Sequence, residues 1–588
     1  MIYDLSTKRH SLSHIMAQAV KSIYPEVKLA IWPDIETGFY YDFDFWEIEF
    51  KEESLKEIEK KMKNIIKQNQ LFEEFKLPID EAIKIIKESQ ENYKTEMAED
   101  LKKSWETELT FYRNKTQQWI ETFVDMCRWP HVSKTLDVDE NSFKLDKIAG
   151  AYWKWDSQNK MLTRIYAFAF ENRIDLDNHI KMLEEAKKRD HRIIWEKMKI
   201  FTISKLVWAR LPLLQPNWMV IRKEIEDYLW DLHKNKWYDR VWTPHLAKED
   251  LYKTSGHAEK FWDELFRVKG WDENFFLKPM NCPHHMQIFA DNQFSYRDMP
   301  IRYFEPATVY RAEKSWQLSG LTRVRSITQD DGHLFCRVGQ ISEEVGTIVS
   351  IIKEFYVTMW MIEWYWVRLS VRWPEWKYLG SDEVWEKAEW ALRDAAEKYD
   401  LPYKIWVDEA AFYWPKLDFM FKDAIWREWQ LATIQCDFNL PERFDLSYIN
   451  EVWEKERPVV IHRAISWSLE RFMWVMIEHF AWVFPLWLSP KQAIIVPVSD
   501  TFNDYGQDIL KKLKESGIRA YIDHSSDSLN KKVRNAEMAK ISYILIVWEQ
   551  EQNDKTVSIR NYKTKEQSVV KVDDFIENVL LEIKEKTI

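Results

Sequence analysis

The residues best equipped for chemistry lie in residues 277–337, within LKPMNCPHHM and PATVYRAEKSWQLSGLTRVRSITQDDGHLFCR. They are the thiol of Cys282, the guanidinium groups of Arg311, Arg323 and Arg325, acceptors at Gln329, Asp330 and Asp331, and the imidazole of His333. Forked guanidinium groups grip phosphate oxygens in pairs, while thiolate and imidazole hold a borderline-soft metal, so this density suits a polyphosphate bound beside a metal ion. A second group lies near the start. His10 and His14 are spaced i, i+4 and share one helix face, and Cys127 and His131 in DMCRWPH repeat the spacing. Their types allow a zinc tetrad or a metal-free hydrolytic pocket, and the pattern does not choose between them.

Positioning these groups takes identifiable elements. Arg311, a Glu two residues on (Glu313), a turn and then RVRSITQDD predict two antiparallel strands joined by a long loop, with Arg311 and Arg323 aimed at one ligand from opposite strands. VIRKEIEDYLWDLHKNKWYDRVWTPHL predicts an amphipathic helix, a turn and a strand ending at Pro244. TIQCDFNLPERFDLSYI predicts an inner strand, and RPVVIHRAISWSLERFMWVMIEHF a strand feeding a long helix. Residues 183–199 predict an exposed linker helix whose Lys187, Lys188, Arg189 and Arg192 are either a solvated face or contacts to phosphate. Beyond FPLWLSPKQ, apolar strands AIIVPV, IRAYID and YILIVW alternate with helical patterns over residues 505–514 and 531–540. That predicts an α/β unit with a mixed sheet, on which Lys532 and Arg534 are candidate RNA contacts.

The Arg311–Arg325 stretch resembles motif 2 of the class II aminoacyl-tRNA synthetases, and KPMNCPHH with TQDDGHLFC narrows the resemblance to the threonyl-tRNA synthetases. It extends through RHSxxHIMAQAV, GFYYDFD, DMCRxPHV and GAYWKWDSQNKMLTRIY to VVIHRAIS and SLERF, covering almost the whole chain. The resemblance implies an α+β multidomain protein. An α/β editing domain with its linker helix would span 1–195, a class II catalytic domain with an antiparallel sheet flanked by helices 196–490, and an α/β anticodon-binding domain 491–588. It implies a threonine–tRNA ligase that forms threonyl-adenylate from threonine and ATP, charges tRNA(Thr) and hydrolyses mischarged seryl-tRNA(Thr). It further implies one Zn²⁺ per subunit, held by Cys282, His333 and His462, and Mg²⁺ accompanying ATP. Arg311, Glu313, Arg323, Lys416, Gln435 and Arg471 are the catalytic candidates. His257, Gln329, Asp331, Tyr413 and Ser468 are expected to bind substrate, with Asp331 taking the threonine hydroxyl. His10, His14, Lys94, Asp125, Cys127 and His131 would line the editing pocket. A homodimer, and the absence of the small N-terminal domain many relatives carry, are implied in the same way.

The bulk numbers set bounds. At 588 residues and 46% apolar content, the chain can bury several cores. It holds no run of eighteen apolar residues and no basic leader, so neither a membrane span nor a signal peptide is expected, and four scattered cysteines fit a reducing cytoplasm. The net charge of −11 does not exclude RNA, because residues 491–588 balance 16 basic against 16 acidic groups and local patches decide such binding.

One count is abnormal: 33 tryptophans against 11 glycines. Average usage would give about 41 glycines, close to the two counts together. Trp32, Trp129, Trp414 and Trp467 stand where the resembled family has glycine, whereas Trp153, Trp385, Trp429 and Trp487 match tryptophan there. This pattern is expected if the gene spells glycine with UGA and the codon is rendered as tryptophan. The alternative to an active ligase, a catalytically impaired RNA-binding or editing-only relative, rests on these tryptophans and on Ser319 in place of a histidine. Retention of Arg311, Glu313, Gln435 and Arg471 speaks for the enzyme.

Overall fold

Two hydrophobic cores organise two compact units, residues 1–185 and 186–588, in a computed structural model. Residues 3–587 are described apart from 31–33, 47, 157, 191–197, 209–210, 261, 271, 314–320, 322, 374–377, 379–380, 408 and 411–413, and the side chains of 34, 155 and 260. Trp32, Arg192, Ser319 and Tyr413 therefore lie outside the described residues.

In the first unit, helix α1 (Leu5–Ile23) begins at Asp4, whose carboxylate accepts the Thr7 N–H at 2.7 Å. Its central residues, from Arg9 to Val20, are all buried, so His10 and His14 enter the core together. The helix packs on the wholly buried strand β1 (Gly38–Asp44), which pairs with β6 (Met161–Ala169), itself paired with β5 (Phe143–Tyr152). A second sheet orders β2 (Leu71–Pro78), β3 (Glu108–Lys115) and β4 (Glu121–Met126). Helix α2 (Asn92–Lys103) brings Lys94 inward.

The second unit is built on an eight-stranded sheet. Its inner strands are β7 (Ile301–Tyr310), β8 (Ser326–Cys336), β10 (Lys416–Lys422), β11 (Glu428–Asp437) and β12 (Val459–Ala464); β9 (Tyr365–Val371) lies beyond β10, and pairing runs β7-β8-β12-β11-β10-β9. These pairings are antiparallel, which alternates side chains cleanly between two faces. Helices α3 (Pro216–Lys234), α5 (Ile341–Thr358), α6 (Asp382–Lys398) and α7 (Leu469–His479) contribute their apolar residues to the core on one face. Helix α4 (Cys282–Ala290) packs with Phe335 and Val460 of the sheet in a smaller cluster. The strand expected to end at Pro244 is only Asp239–Arg240, parallel to β7. The chain leaves the ladder there because the Glu305 carboxylate takes the Thr243 N–H at 2.9 Å and Pro244 has none to give.

The C-terminal part forms a separate mixed sheet of β13 (Ala493–Pro497), β14 (Ala520–Ile522), β15 (Tyr543–Val547), β16 (Thr556–Asn561) and β17 (Gln567–Lys571), with the first three parallel and the last two antiparallel. Lys532 is not a solvated contact: it is buried, and its Nζ donates to the carbonyls of Pro497 and Asp523 at 3.3 and 3.4 Å. Arg534 is exposed. In the linker, helix Arg173–Lys188 carries the exposed Lys187 and Lys188, while Arg189 donates to the carbonyl of His479 at 2.8 Å.

Tryptophan occupies backbone that suits it badly. Of 21 non-glycine residues described with positive φ, ten are tryptophan. Left-handed backbone costs a side chain with a Cβ roughly 1–2 kcal/mol. Trp105, Trp237 and Trp360 sit two or three residues past a helix end, each donating to the carbonyl three residues back while the next residue reaches five back. This is the helix-closing motif that Gly517 also makes. Trp119, Trp426 and Trp453 turn hairpins, while Trp46, Trp208, Trp467 and Trp482 complete the set.

Candidate active site

Period-two alternation on β8 turns Gln329, Asp331 and His333 to one face. Strand register then lays two rows across the sheet: His333 faces His462, which faces Gln435; Asp331 faces Ala464, which faces Thr433. The N-terminus of α4 supplies Cys282. Ligand atoms of Cys282, His333 and His462 all lie within 4.8 Å of one another, and all three residues are buried. Together with Arg311, Gln329, Asp331 and Gln435 they line a cavity of about 240 Å³. Trp414 lies stacked on His462, ring centres 4.2 Å apart, and lines the same cavity, as does Trp467.

Each histidine is fixed from behind. The Nε2 of His462 meets Asp437 Oδ2 at 3.0 Å, leaving its Nδ1 for a ligand. The Nδ1 of His333 lies 2.8 Å from Nδ1 of His285, whose Nε2 lies 3.0 Å from Glu305 Oε2. The chain of bonds is satisfied if His333 donates to His285 and His285 donates to Glu305, which leaves His333 Nε2 as the free lone pair. Burial would raise the Glu305 carboxyl, but hydrogen bonds from His285 and Asn281 and the charge of Lys278 bring it down to about 2, so it is a fixed anion. Burial holds His333 well below the usual imidazole range and pushes the Cys282 thiol well up. His285, Glu305, Asn281 and Asp437 were not singled out from the sequence; the doubled histidine of CPHH was the only sign.

The other candidates fall in different places. Arg311 continues β7, its N–H donating to the Arg325 carbonyl at 3.0 Å, and Glu313 pairs with Arg323. Lys416 opens β10 and pairs with Asp418 at 2.8 Å. Ser468 caps α7, its hydroxyl accepting the Arg471 N–H at 3.3 Å, and the Arg471 guanidinium lies 5.3 Å from the Trp467 ring centre. His257 is buried beside Ser255, 2.8 Å from its hydroxyl, and burial with the nearby Arg311 lowers it to about 3. Tyr413 is outside the described residues. Of the candidates, His257, Glu313, Arg323, Lys416, Ser468 and Arg471 do not line the cavity.

In the first unit a larger cavity, about 890 Å³, is lined by His10, Lys94 and Cys127. The Cys127 sulfur lies 3.0 Å from His10 Nε2 and 3.3 Å from His131 Nε2, and these three form a second potential ligand cluster. His14 is not among them; its ring packs edge-on against His131 and Phe123 behind the cavity. Lys94 and Asp125 make a buried ion pair at 3.1 Å, and Tyr41 donates to the same carboxylate at 2.9 Å. Burial pushes the Cys127 thiol up to about 12 and brings His10 down to about 3.

Residues 266–480 match the class II core domain of the G, H, P, S and T tRNA synthetases, 492–582 an anticodon-binding domain, and 110–166 the second additional domain of threonyl- and alanyl-tRNA synthetases. The fold and the site thus define a class II aminoacyl-tRNA synthetase, α+β in class, with editing and anticodon-binding domains. Threonine–tRNA ligases from Cytophaga hutchinsonii and Porphyromonas gingivalis are 41% and 43% identical to it over 577 and 580 residues, covering 97% and 98% of this chain and 88% and 87% of theirs. A crystallised threonyl-tRNA synthetase fragment from Cryptosporidium parvum superposes with a TM-score of 0.64 at 34% identity, covering 67% of this chain and 98% of that one. A threonyl-tRNA synthetase of Aeropyrum pernix gives 0.59 at 29% identity, covering 68% and 95%. The chain belongs to the threonine–tRNA ligase family, and the matches carry aminoacylation with editing rather than an editing-only relative.

Proposed function

We propose that the 240 Å³ cavity activates threonine and that the first unit's cavity hydrolyses seryl-tRNA(Thr). The threonine carboxylate attacks the α-phosphate of Mg²⁺-ATP, pyrophosphate leaves, and the threonyl group passes to the terminal ribose of tRNA(Thr) with release of AMP. No covalent intermediate on the protein is needed. Arg311 and Arg471 hold the bent triphosphate and the adenine, Glu313 and Arg323 order the loop over them, and Gln435 orients the reacting groups, so catalysis comes from positioning and charge neutralisation. Asp331 accepts the threonine hydroxyl.

Cys282, His333 and His462 fit a Zn²⁺ site: one sulfur and two nitrogens converge, and each histidine is held on its far nitrogen by another residue. When bound, the ion offers open positions to the amino and hydroxyl groups of threonine, which valine cannot both fill. Serine fills both, which is why a second, hydrolytic site is needed. There Lys94, neutralised by Asp125, binds the terminal adenosine, and His10, Cys127 and His131 hold the attacking water while His14 backs them. On this reading residues 1–195 edit, 196–490 activate and 491–588 bind the anticodon, in a cytoplasmic homodimer.

The observation that carries the reading is the convergence of Cys282, His333 and His462 beside Arg311 and Gln435 in one cavity. Threonine-dependent ATP–pyrophosphate exchange tests it: exchange with threonine and serine but not valine, together with one zinc per chain, is expected. Absence of threonine-dependent exchange from protein that folds and binds tRNA would overturn it.

A further inference from the structure

We propose that the functional protein carries glycine, not tryptophan, at the ten left-handed positions and at residue 414. Composition motivates the idea; the backbone carries it independently. Tryptophan is neither small nor inclined to left-handed conformations, yet it accounts for ten of the 21 positive-φ non-glycine residues described. At Trp105, Trp237 and Trp360 the hydrogen-bond pattern is the helix-closing motif whose left-handed residue is normally glycine. Their indoles are solvent-exposed, 92% at Trp105 and 84% at Trp237, so no packing explains the residue type.

Trp153, Trp385 and Trp429 behave differently. Trp153 and Trp429 have negative-φ backbone and donate their indole N–H to Glu96 and Asp423 at 2.9 Å, and Trp385 is almost fully buried. One chain thus contains two populations under one letter: aromatic rings with partners, and rings attached to glycine backbone. UGA used for glycine and rendered as tryptophan produces the second population, and UGG the first.

Position 414 has no left-handed backbone but has the larger functional consequence. Its indole is buried against His462 in the cavity where threonine would sit, and Trp467 lies on the rim toward Arg471. At about 240 Å³ the cavity falls below the usual range of roughly 300–1,000 Å³ for small-ligand sites. Glycine at both positions removes two indoles and opens the site to the amino acid and adenylate. Glycine at 414 and this consequence rest on the proposed function of the cavity; the ten left-handed identities do not.

Peptide masses of the protein purified from its own cells test the identities. Glycine is expected at 105, 237, 360 and 414, with tryptophan kept at 153, 385 and 429. Tryptophan at the first four positions, or UGG codons there, overturns the proposal. For the cavity, a chain in which the other nine left-handed tryptophans are replaced by glycine is compared with the same chain carrying W414G and W467G as well. Threonine-dependent exchange is expected to rise by about 10²-fold, the usual effect of misplacing reacting groups by an ångström. Equal rates, with glycine proven in the native peptides, leave the identities standing and overturn the role given to the opened cavity.

Discussion

His285 lies outside the metal-ligand set, yet its hydrogen bond fixes which nitrogen His333 turns to the cavity. His285→Ala removes that support, and metal affinity is expected to fall about 10–100-fold, read by titration against a chromophoric chelator; unchanged affinity would show that His333 needs no partner. At the other site, Asp125→Ala strands the buried Lys94 charge and is expected to destabilise the first unit by about 3–5 kcal/mol, whereas Lys94→Met with Asp125→Asn removes both charges and keeps most of the stability while seryl-tRNA hydrolysis is lost. Denaturant melts and deacylation rates check the pair. At this scale the sequence was informative where periodicity acts alone: Gln329, Asp331 and His333 share a face by alternation. For His462 only the resemblance carried by VVIHRAIS was informative, because strand register brings it opposite His333.

Among elements, the turn from β12 into α7 is the one the site leans on. Buried Asp330 on β8 accepts the N–H groups of Ile465 and Ser466 at 2.7 and 3.0 Å and the Ser466 hydroxyl at 2.8 Å, which fixes where α7 and Arg471 begin. Asp330→Ala leaves these donors unpaired and is expected to cost about 3 kcal/mol, with a larger rise in KM for ATP than for threonine; a melting curve and initial rates decide it. The strand-to-helix step itself was legible in RPVVIHRAISWSLERF, since apolar alternation gives way to helical spacing after a Ser cap. The short strand Asp239–Arg240 was not, because its end is set by the side chain of Glu305, 62 residues along the chain.

Across the whole molecule, both units bury histidines whose protonation opposes folding, His14 in the first and His257 and His479 in the second. Burial brings His14 to about 4 in the folded first unit, against an ordinary value of 6.5. The unfolded chain therefore takes up a proton between pH 6.5 and 4 that the folded unit refuses. Stability is complete above 6.5 and falls by about 3 kcal/mol as pH approaches 4. Melting temperatures from pH 7 to 4.5, compared with His14→Gln, check this: the variant is expected to lose part of the acid sensitivity. No described helix is long and apolar enough to cross a membrane. The succession of domains was legible through the resemblance, and for residues 491–588 also through alternating strand and helix patterns, but the break between the units at residue 185 follows from packing that no local pattern announces.

The claim on which the account turns is that Cys282, His333 and His462 hold an ion that recognises a β-hydroxyl. The ratio of kcat/KM for threonine over valine in ATP–pyrophosphate exchange, measured on zinc-loaded protein from its native source, tests it most directly. The account predicts a preference of about 10⁴-fold or more, as for sites built to bind a substrate hydroxyl. A preference of only about 10 to 200-fold, all that an apolar pocket supplies, would contradict it.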